Sequence, residues 1–299
     1  MWSQIDLSLP EDTVINATIH ISSQTPVKNQ GQRNTCSAFG VAAALEVLPN
    51  MPKDISEKYL YGVQKVREYI DKKPIGKGKF LFNYISSLQE YGILTETEMP
   101  YPNVDPKKWV DSDQELVKVI FEGDIGPVSL LAKYKPIARK ITLTNYEFMN
   151  EEKSKDVARI KYLLDHGIKA IPVSYELYMP AWYQFSSVQY NTIEPDLGYG
   201  IKMQDGTFKK ISEVKKLFPD IITLINTKKA GLFRTDTRTD ITVYGGHVVT
   251  IVGYDDQGFI IKNSWGTDWR YAGYERISYD YHRLFAYEAL AIRSVKYKN

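Results

Sequence analysis

The division of the chain into a helical first half and a strand-rich second half constrains its fold most strongly. Apolar residues at helical spacing predict helices over residues 38–48, 54–70, 80–91, 114–121, 151–166 and 211–217. From Gly126 onward, β-branched and aromatic residues predict strands over residues 127–131, 137–148, 168–177, 248–254, 259–262 and 285–295. Because most of the helices are predicted in the first half and most of the strands in the second, we expect an α+β fold with two lobes and a cleft between them.

Cys36 is the only cysteine of the 299 residues, and it stands where the first predicted helix begins. We expect Thr35 to be the N-cap of that helix. Backbone N–H groups of a first helical turn, together with the helix dipole, favour a thiolate, which is the nucleophilic form of cysteine. The alternative interpretation is a buried structural cysteine, because free cysteines are often buried.

A predicted hairpin carries two further residue types that a cysteine nucleophile needs. His247 stands at the start of strand 248–254, and Asn263 stands just after strand 259–262. A short turn joins these strands, so His247 and Asn263 become neighbours, and the amide can set the imidazole tautomer. Trp265 would then shield that hydrogen bond from water, and Gly246 leaves room for a close backbone approach beside the histidine.

Gln30 is the candidate donor to the oxyanion that forms when a thiolate attacks a carbonyl. It lies six residues before Cys36, so its side-chain amide and the Cys36 backbone N–H can face the same oxygen. Taken singly, His247 has a plainer interpretation as a packed core residue, Asn263 as a turn former and Gln30 as a solvated loop residue. Taken together, the four residue types stand in the chain order that a cysteine nucleophile site needs, which favours such a site over the plainer interpretations.

Composition argues against several other classes of function. The 38 basic and 36 acidic residues leave a net charge of +2 without a basic stripe, so we expect no nucleic-acid partner. Four widely spaced histidines and one cysteine predict neither a metal site nor another cofactor site. No apolar run reaches the roughly 20 residues of a membrane span, and residues 1–10 lack a signal-peptide pattern. We therefore expect no membrane partner and a cytoplasmic location by default, with export by another route left open.

Three segments of the chain resemble motifs of the papain-like cysteine peptidases. Residues 26–31 (PVKNQG) and 36–39 (CSAF) resemble the motif around the oxyanion glutamine and the nucleophile. Residues 245–248 (GGHV) resemble the histidine motif, while residues 262–269 (KNSWGTDW) and 273–274 (GY) resemble the asparagine motif. Weaker similarity extends over roughly residues 9–295.

The resemblance implies a helical lobe and an antiparallel β-barrel-like lobe, with a cleft that takes a peptide or protein substrate. It implies peptide-bond hydrolysis through a thioester acyl-enzyme without a cofactor. Cys36 is then the nucleophile, His247 the base, Asn263 the group that orients it, and Gln30 the oxyanion donor. The two alternatives are acyl transfer by the same thiolate (transamidation, deamidation or ligation) and a non-catalytic protein that binds peptides or a partner.

The chain departs from the family pattern on both sides of Cys36. Arg33 stands where secreted relatives carry a disulfide cysteine, and Ser37 stands where a tryptophan is usual and would alter one side of the cleft. The absence of disulfides fits the disulfide-free microbial branch of the family. The predicted substrate-binding residues are Gly76, Gly78, Gly246 and Trp265.

We expect the whole chain, residues 1–299, to form a single catalytic domain. The helical lobe is predicted at about residues 31–125, and the β lobe at about residues 1–30 and 126–299. The stretch of about residues 186–243 is longer than the family needs and is interpreted as an insertion. It could be a lid, an exosite, a partner surface or a surface decoration.

Overall fold

The computed structural model describes residues 18–31, 33–71, 78–101, 127–177, 182, 192–193, 199–203, 205–210, 213, 230–234 and 246–297. Its α-helices are α1 (Cys36–Glu46), α2 (Glu57–Ile70), α3 (Phe82–Tyr91), α4 (Pro127–Tyr134), α5 (Glu151–Ser154), α6 (Val157–Asp165) and α7 (Tyr279–Phe285). Its strands are β1 (Thr18–Ile19), β2 (Ile141–Met149), β3 (Ile171–Glu176), β4 (Thr192–Ile193), β5 (Tyr199–Met203), β6 (Phe208–Lys209), β7 (Ala230–Arg234), β8 (Gly246–Tyr254), β9 (Gly258–Lys262), β10 (Tyr274–Ser278) and β11 (Ala286–Tyr297).

The main sheet confirms the predicted α+β class. Its strands lie in the order β2-β11-β3-β8-β9-β10-β4, and β1 pairs with β8. All pairs are antiparallel except β10 with β4. Among the described residues this sheet is open between β2 and β4, so it is not closed into a barrel. A second sheet, β6-β5-β7, lies within the predicted insertion, whose role stays a prediction.

Strand β8 contributes to two hydrophobic cores, one on each face of the main sheet. Val248 belongs to the core that contains most buried residues of α1, α2 and α3. Val249 and Ile251 belong to the other core, which includes buried residues of α6 and α7. Successive side chains of a strand point to opposite faces, so this alternation buries β8 on both sides. The apolar run after His247 is therefore a central strand.

Two element predictions were wrong in ways that local chemistry explains. Residues 127–131 begin helix α4 instead of forming a strand, and Pro127 is its first helical residue, a position that proline favours. The single helix predicted over residues 151–166 is divided into α5 and α6. The side chains of Asn150 and Asp156 each cap a helix start by accepting a backbone N–H three residues later.

Two predicted helices lie largely or wholly outside the described residues, and one helix of the structure was not predicted. The helix predicted over residues 114–121 lies outside them, as does all of the one predicted over 211–217 except Glu213. Helix α7 was not predicted. It is capped by Ser278, whose Oγ accepts the Tyr281 N–H at 3.1 Å.

A partly buried ionic cluster joins the segment before Cys36 to the helical lobe. Lys28 Nζ lies 3.1 Å from Glu46, 2.7 Å from Glu57 and 2.8 Å from Asp54. The Glu46 and Glu57 side chains are each only 2% exposed, and Lys28 brings a positive charge to both of them. Burial favours the neutral amine, yet Glu57 and Glu46 raise the pKa of Lys28 above its usual value.

A glycine allows α1 to pack closely against the main sheet. A Cβ atom at Gly40 would lie 2.7 Å from Val248 Cγ1 and 3.1 Å from Pro172 Cβ. Both distances are shorter than ordinary van der Waals contact, and the second partner is a rigid ring. Gly40 lies one helical turn after Cys36, so this contact holds the start of α1 against β8.

We predict that Gly40→Ala lowers the free energy of unfolding by about 1–3 kcal/mol, because overpacking forces neighbouring atoms to move. Thermal and denaturant unfolding of the purified variant measure this loss. Gly78→Ala is the matched control, because a Cβ there meets no atom within 4 Å. Equal stability of the two variants would contradict the role assigned to Gly40.

Candidate active site

Cys36 is the first residue of α1 and is half-buried. Thr35 stands at the N-cap position, as predicted, but its side chain makes no capping hydrogen bond. Its hydroxyl instead lies 2.9 Å from the hydroxyl of Tyr101. The start of α1 is held by backbone bonds, including one of 2.9 Å from the Ala38 N–H to the Thr35 carbonyl.

Two opposing effects act on the Cys36 thiol. Burial is the larger one, and it raises the pKa of Cys36 above its usual value. Backbone N–H groups, including those of Val248 and Ser37, act in the opposite direction by donating to the sulfur. The contact with Val248 places the thiol beside the residue that follows His247. The backbone N–H groups at the helix start therefore favour the thiolate, as expected, but burial outweighs them.

His247 is buried and is bound by Asn263 across the β8–β9 hairpin. His247 Nε2 lies 2.7 Å from Asn263 Oδ1, and the same oxygen accepts the Ser264 backbone N–H at 2.8 Å. A backbone N–H must face an oxygen, so this second bond fixes the orientation of the amide. Nε2 is consequently the protonated nitrogen in the neutral imidazole, and Nδ1 has a free lone pair.

Aromatic rings enclose the His247 imidazole. Trp265 stacks on it at 4.6 Å between ring centroids and 26° between planes, while Trp182 meets it edge-on at 5.6 Å. This enclosure withdraws the imidazole from water. Burial lowers the pKa of His247 to about 4, although the bond to Asn263 acts in the opposite direction. The sequence predicted Trp265 but missed Trp182, which stands in no recognisable pattern.

The side chain of Gln30 is fixed at both ends. Its Oε1 accepts a hydrogen bond of 2.6 Å from Ser264 Oγ, and its Nε2 donates one of 2.5 Å to the Arg33 carbonyl. The Gln30 backbone N–H also donates to the Ser264 carbonyl at 2.8 Å. Since an amide nitrogen carries two hydrogens, one N–H of Nε2 is not used by Arg33. Ser264 therefore links Gln30 to the segment that carries Asn263.

The predicted substrate-binding glycines have different surroundings. Gly246 is exposed, and the hydroxyl of Tyr287 lies so close that a Cβ there would overlap it. Tyr287 in turn meets the 61% exposed Phe80 edge-on at 6.4 Å. Gly78 is an exposed residue near Phe80, and Gly76 lies outside the described residues. Tyr287 was missed because it stands within the predicted strand 285–295 and in none of the motifs that indicated the site.

Ser37 does not line the cleft. It is fully buried, and its Oγ lies 3.1 Å from the hydroxyl of Tyr84 on α3. The prediction that Ser37 alters one side of the cleft is therefore wrong, because its side chain faces the helical core.

The described part of the chain contains no group of three or more metal-ligating side chains that could hold an ion. Among the same residues, no helix is both long and apolar enough to cross a membrane.

A family model and a curated relative match this chain. The model described as "Papain family cysteine protease" matches residues 221–293, which include His247 and Asn263. The Gamete and mating-type specific protein A of Dictyostelium discoideum is 24% identical over 274 residues. That alignment covers 90% of this chain but 44% of the relative, so the chain spans less than half the length of that protein.

Solved structures of cysteine proteases share the fold over nearly the whole chain. Xylellain, a cysteine protease from Xylella fastidiosa, superposes with a TM-score of 0.58 at 22% identity, covering 97% of this chain and 91% of that one. The cysteine protease and lectin-like domains of Cwp84 from Clostridium difficile give a TM-score of 0.56 at 16% identity, covering 97% and 53%. Together with the family match over residues 221–293, these likenesses confirm the predicted resemblance to the papain-like cysteine peptidases and show that the chain has a papain-like fold.

Proposed function

We propose that this protein is a cysteine endopeptidase in which Cys36 is the nucleophile and His247 the base. The observation that carries the proposal is the buried His247–Asn263 bond of 2.7 Å, which leaves Nδ1 as a proton acceptor on the strand that contacts the Cys36 sulfur. The family match over residues 221–293, which contains His247 and Asn263, supports the assignment of these two residues. If Cys36 and His247 had only structural roles, His247 would not need to be protonated on Nε2 with Nδ1 left as an acceptor.

The proposed reaction has two halves. His247 takes the proton of Cys36, and the sulfur attacks the peptide carbonyl. The oxyanion accepts hydrogen bonds from Gln30 Nε2 and the Cys36 backbone N–H. His247 then gives its proton to the leaving amine, and a thioester to Cys36 remains. Water deprotonated by His247 attacks this thioester and releases the acid.

Because both groups are buried, we expect proton transfer from Cys36 to His247 to form the thiolate and the imidazolium together. A lone thiolate is disfavoured at Cys36, and a lone imidazolium is disfavoured at His247, as the directions of both pKa shifts indicate. Transfer from one to the other creates both charges together, and adjacent unit charges attract by about 4 kcal/mol at an effective dielectric constant of ~20. The pair is expected to titrate as a unit.

We expect the protein to cleave a peptide library, and Cys36→Ala to abolish every cleavage. Mass spectrometry of the products, with and without added amines, measures hydrolysis and acyl transfer separately. Free acids in the presence of amines support hydrolysis, whereas amide products would support the transferase alternative. Absence of cleavage by the wild type would contradict the proposed function.

We expect iodoacetamide to alkylate Cys36 with an apparent pKa below the roughly 8.5 of an ordinary thiol, because the imidazolium stabilises the thiolate. In His247→Ala this partner is lost while burial of the thiol persists. The apparent pKa should therefore rise above 8.5 in the variant. Rate-against-pH profiles of both proteins measure the change, and two superimposable profiles would contradict the pairing.

Substitutions of Asn263 should move the pKa of His247 in opposite directions. Asn263→Asp places a carboxylate beside Nε2 and raises the imidazole pKa from about 4 by about 1–3 units. Asn263→Ala removes a hydrogen bond that favours the charged imidazole, so the pKa falls. NMR titration of the ring nitrogens in a Cys36→Ala background isolates the imidazole. Shifts of the same sign would contradict the assigned contact.

A further inference from the structure

Tyr101 packs against the loop that joins Gln30 to Cys36. Its hydroxyl donates to the Gln30 carbonyl at 2.8 Å and lies 2.9 Å from Thr35 Oγ1. A hydroxyl has one proton, so Thr35 is the donor in the second bond. The Tyr101 ring also meets Phe39 of α1 edge-on at 5.0 Å between centroids. One side chain therefore contacts both ends of the loop and the helix that follows it.

Arg33 connects the same ring to the Gln30 side chain. The Arg33 side chain is buried, with its guanidinium carbon 5.0 Å from the centroid of the Tyr101 ring. Its backbone carbonyl accepts the 2.5 Å bond from Gln30 Nε2. The Tyr101 ring thus restrains the Arg33 side chain, and the Arg33 carbonyl orients the side-chain amide of Gln30. Cation–π contacts of this kind strengthen when they are withdrawn from water.

The Tyr101 hydroxyl keeps its proton under ordinary conditions. Burial raises the pKa of Tyr101 to about 12, although Thr35 and Arg33 act in the opposite direction. The Tyr101 hydroxyl can therefore donate to the Gln30 carbonyl at any pH well below 12.

We infer that Tyr101 is a positioning residue for the oxyanion site, acting on Gln30 directly and through Arg33. The inference rests on the proposed function, in which Gln30 Nε2 donates to the oxyanion. Tyr101 touches neither the imidazole nor the Asn263 amide through any contact that the structure describes. Its loss should weaken the stabilisation of an oxyanion and leave the nucleophile intact.

Tyr101→Phe keeps the ring and removes the bond to Gln30, and three measurements separate its effects. Alkylation of Cys36 by iodoacetamide forms no oxyanion and should change less than twofold. The kcat for a peptide taken from the library digest should fall about tenfold with little change in KM, since complete loss of one donor costs about 10²–10³. The affinity of a peptide aldehyde of the same sequence, which forms a hemithioacetal oxyanion with Cys36, should fall in proportion to kcat.

Tyr59→Phe is the matched control. The Tyr59 hydroxyl is also buried in the helical lobe and donates to a backbone carbonyl, that of Tyr91, at 2.8 Å. Thermal unfolding of the two variants compares the structural cost of each lost bond. Only Tyr101→Phe should lower kcat and aldehyde affinity.

Arg33→Met is a second, independent variant, since it removes the contact that links the ring to the Arg33 carbonyl. It should reproduce the loss of aldehyde affinity without slowing alkylation.

Equal kcat and aldehyde affinity in Tyr101→Phe and Tyr59→Phe would overturn the inference while the wild type remained an active peptidase. A parallel fall in alkylation rate and kcat would also overturn it, because that pattern reports general loosening of α1. A wild type that neither cleaves peptides nor binds the aldehyde would overturn the proposed function and the inference together.

Discussion

The close contact between α1 and β8 is the constraint on which the candidate site depends. The helix supplies Cys36 and the strand supplies His247, so the distance between these elements sets the distance between thiol and imidazole. Gly40 lies one helical turn after Cys36, and Val248, which it meets, directly follows His247. Since β8 is buried on both faces, neither element can shift without disturbing a core. The relative positions of Cys36 and His247 are therefore fixed by packing as well as by hydrogen bonds.

Buried polar groups fix the position of the two lobes relative to one another around the contact between α1 and β8. Lys28 joins the segment before Cys36 to Glu46 and Glu57 in the helical lobe. Glu288 of β11 accepts hydrogen bonds of 2.8 Å from the Leu81 N–H, just before α3, and from Ser174 Oγ of β3. Buried charges of this kind contribute little net stability, because desolvation opposes their attraction. Their directional bonds instead limit how the lobes can lie relative to one another, which suits a site assembled from both.

The sequence predicted the parts of the site that are encoded locally and missed those that arise from packing. The β8–β9 hairpin follows from two apolar runs and a short turn, so the neighbourhood of His247 and Asn263 was predictable. Tyr101 and Tyr287 reach the site from segments far along the chain, and no spacing rule connects them to Cys36. The end of α5 was missed because Asp156 caps a new helix inside a continuous apolar pattern. Closure of the sheet depends on strand pairing over long distances, which composition does not determine.

The electrostatics of the site explain why its neutral donors matter. Burial disfavours both a lone thiolate at Cys36 and a lone imidazolium at His247, so the proposed reaction requires the two charges to form together. In the proposed reaction, the negative charge moves from the thiolate to the carbonyl oxygen while the imidazolium remains. The new anion then depends on donors that are already aligned, because reorienting them during the reaction would cost free energy. Gln30, held by Ser264 and Arg33, meets this requirement without adding a charge that would perturb the pair.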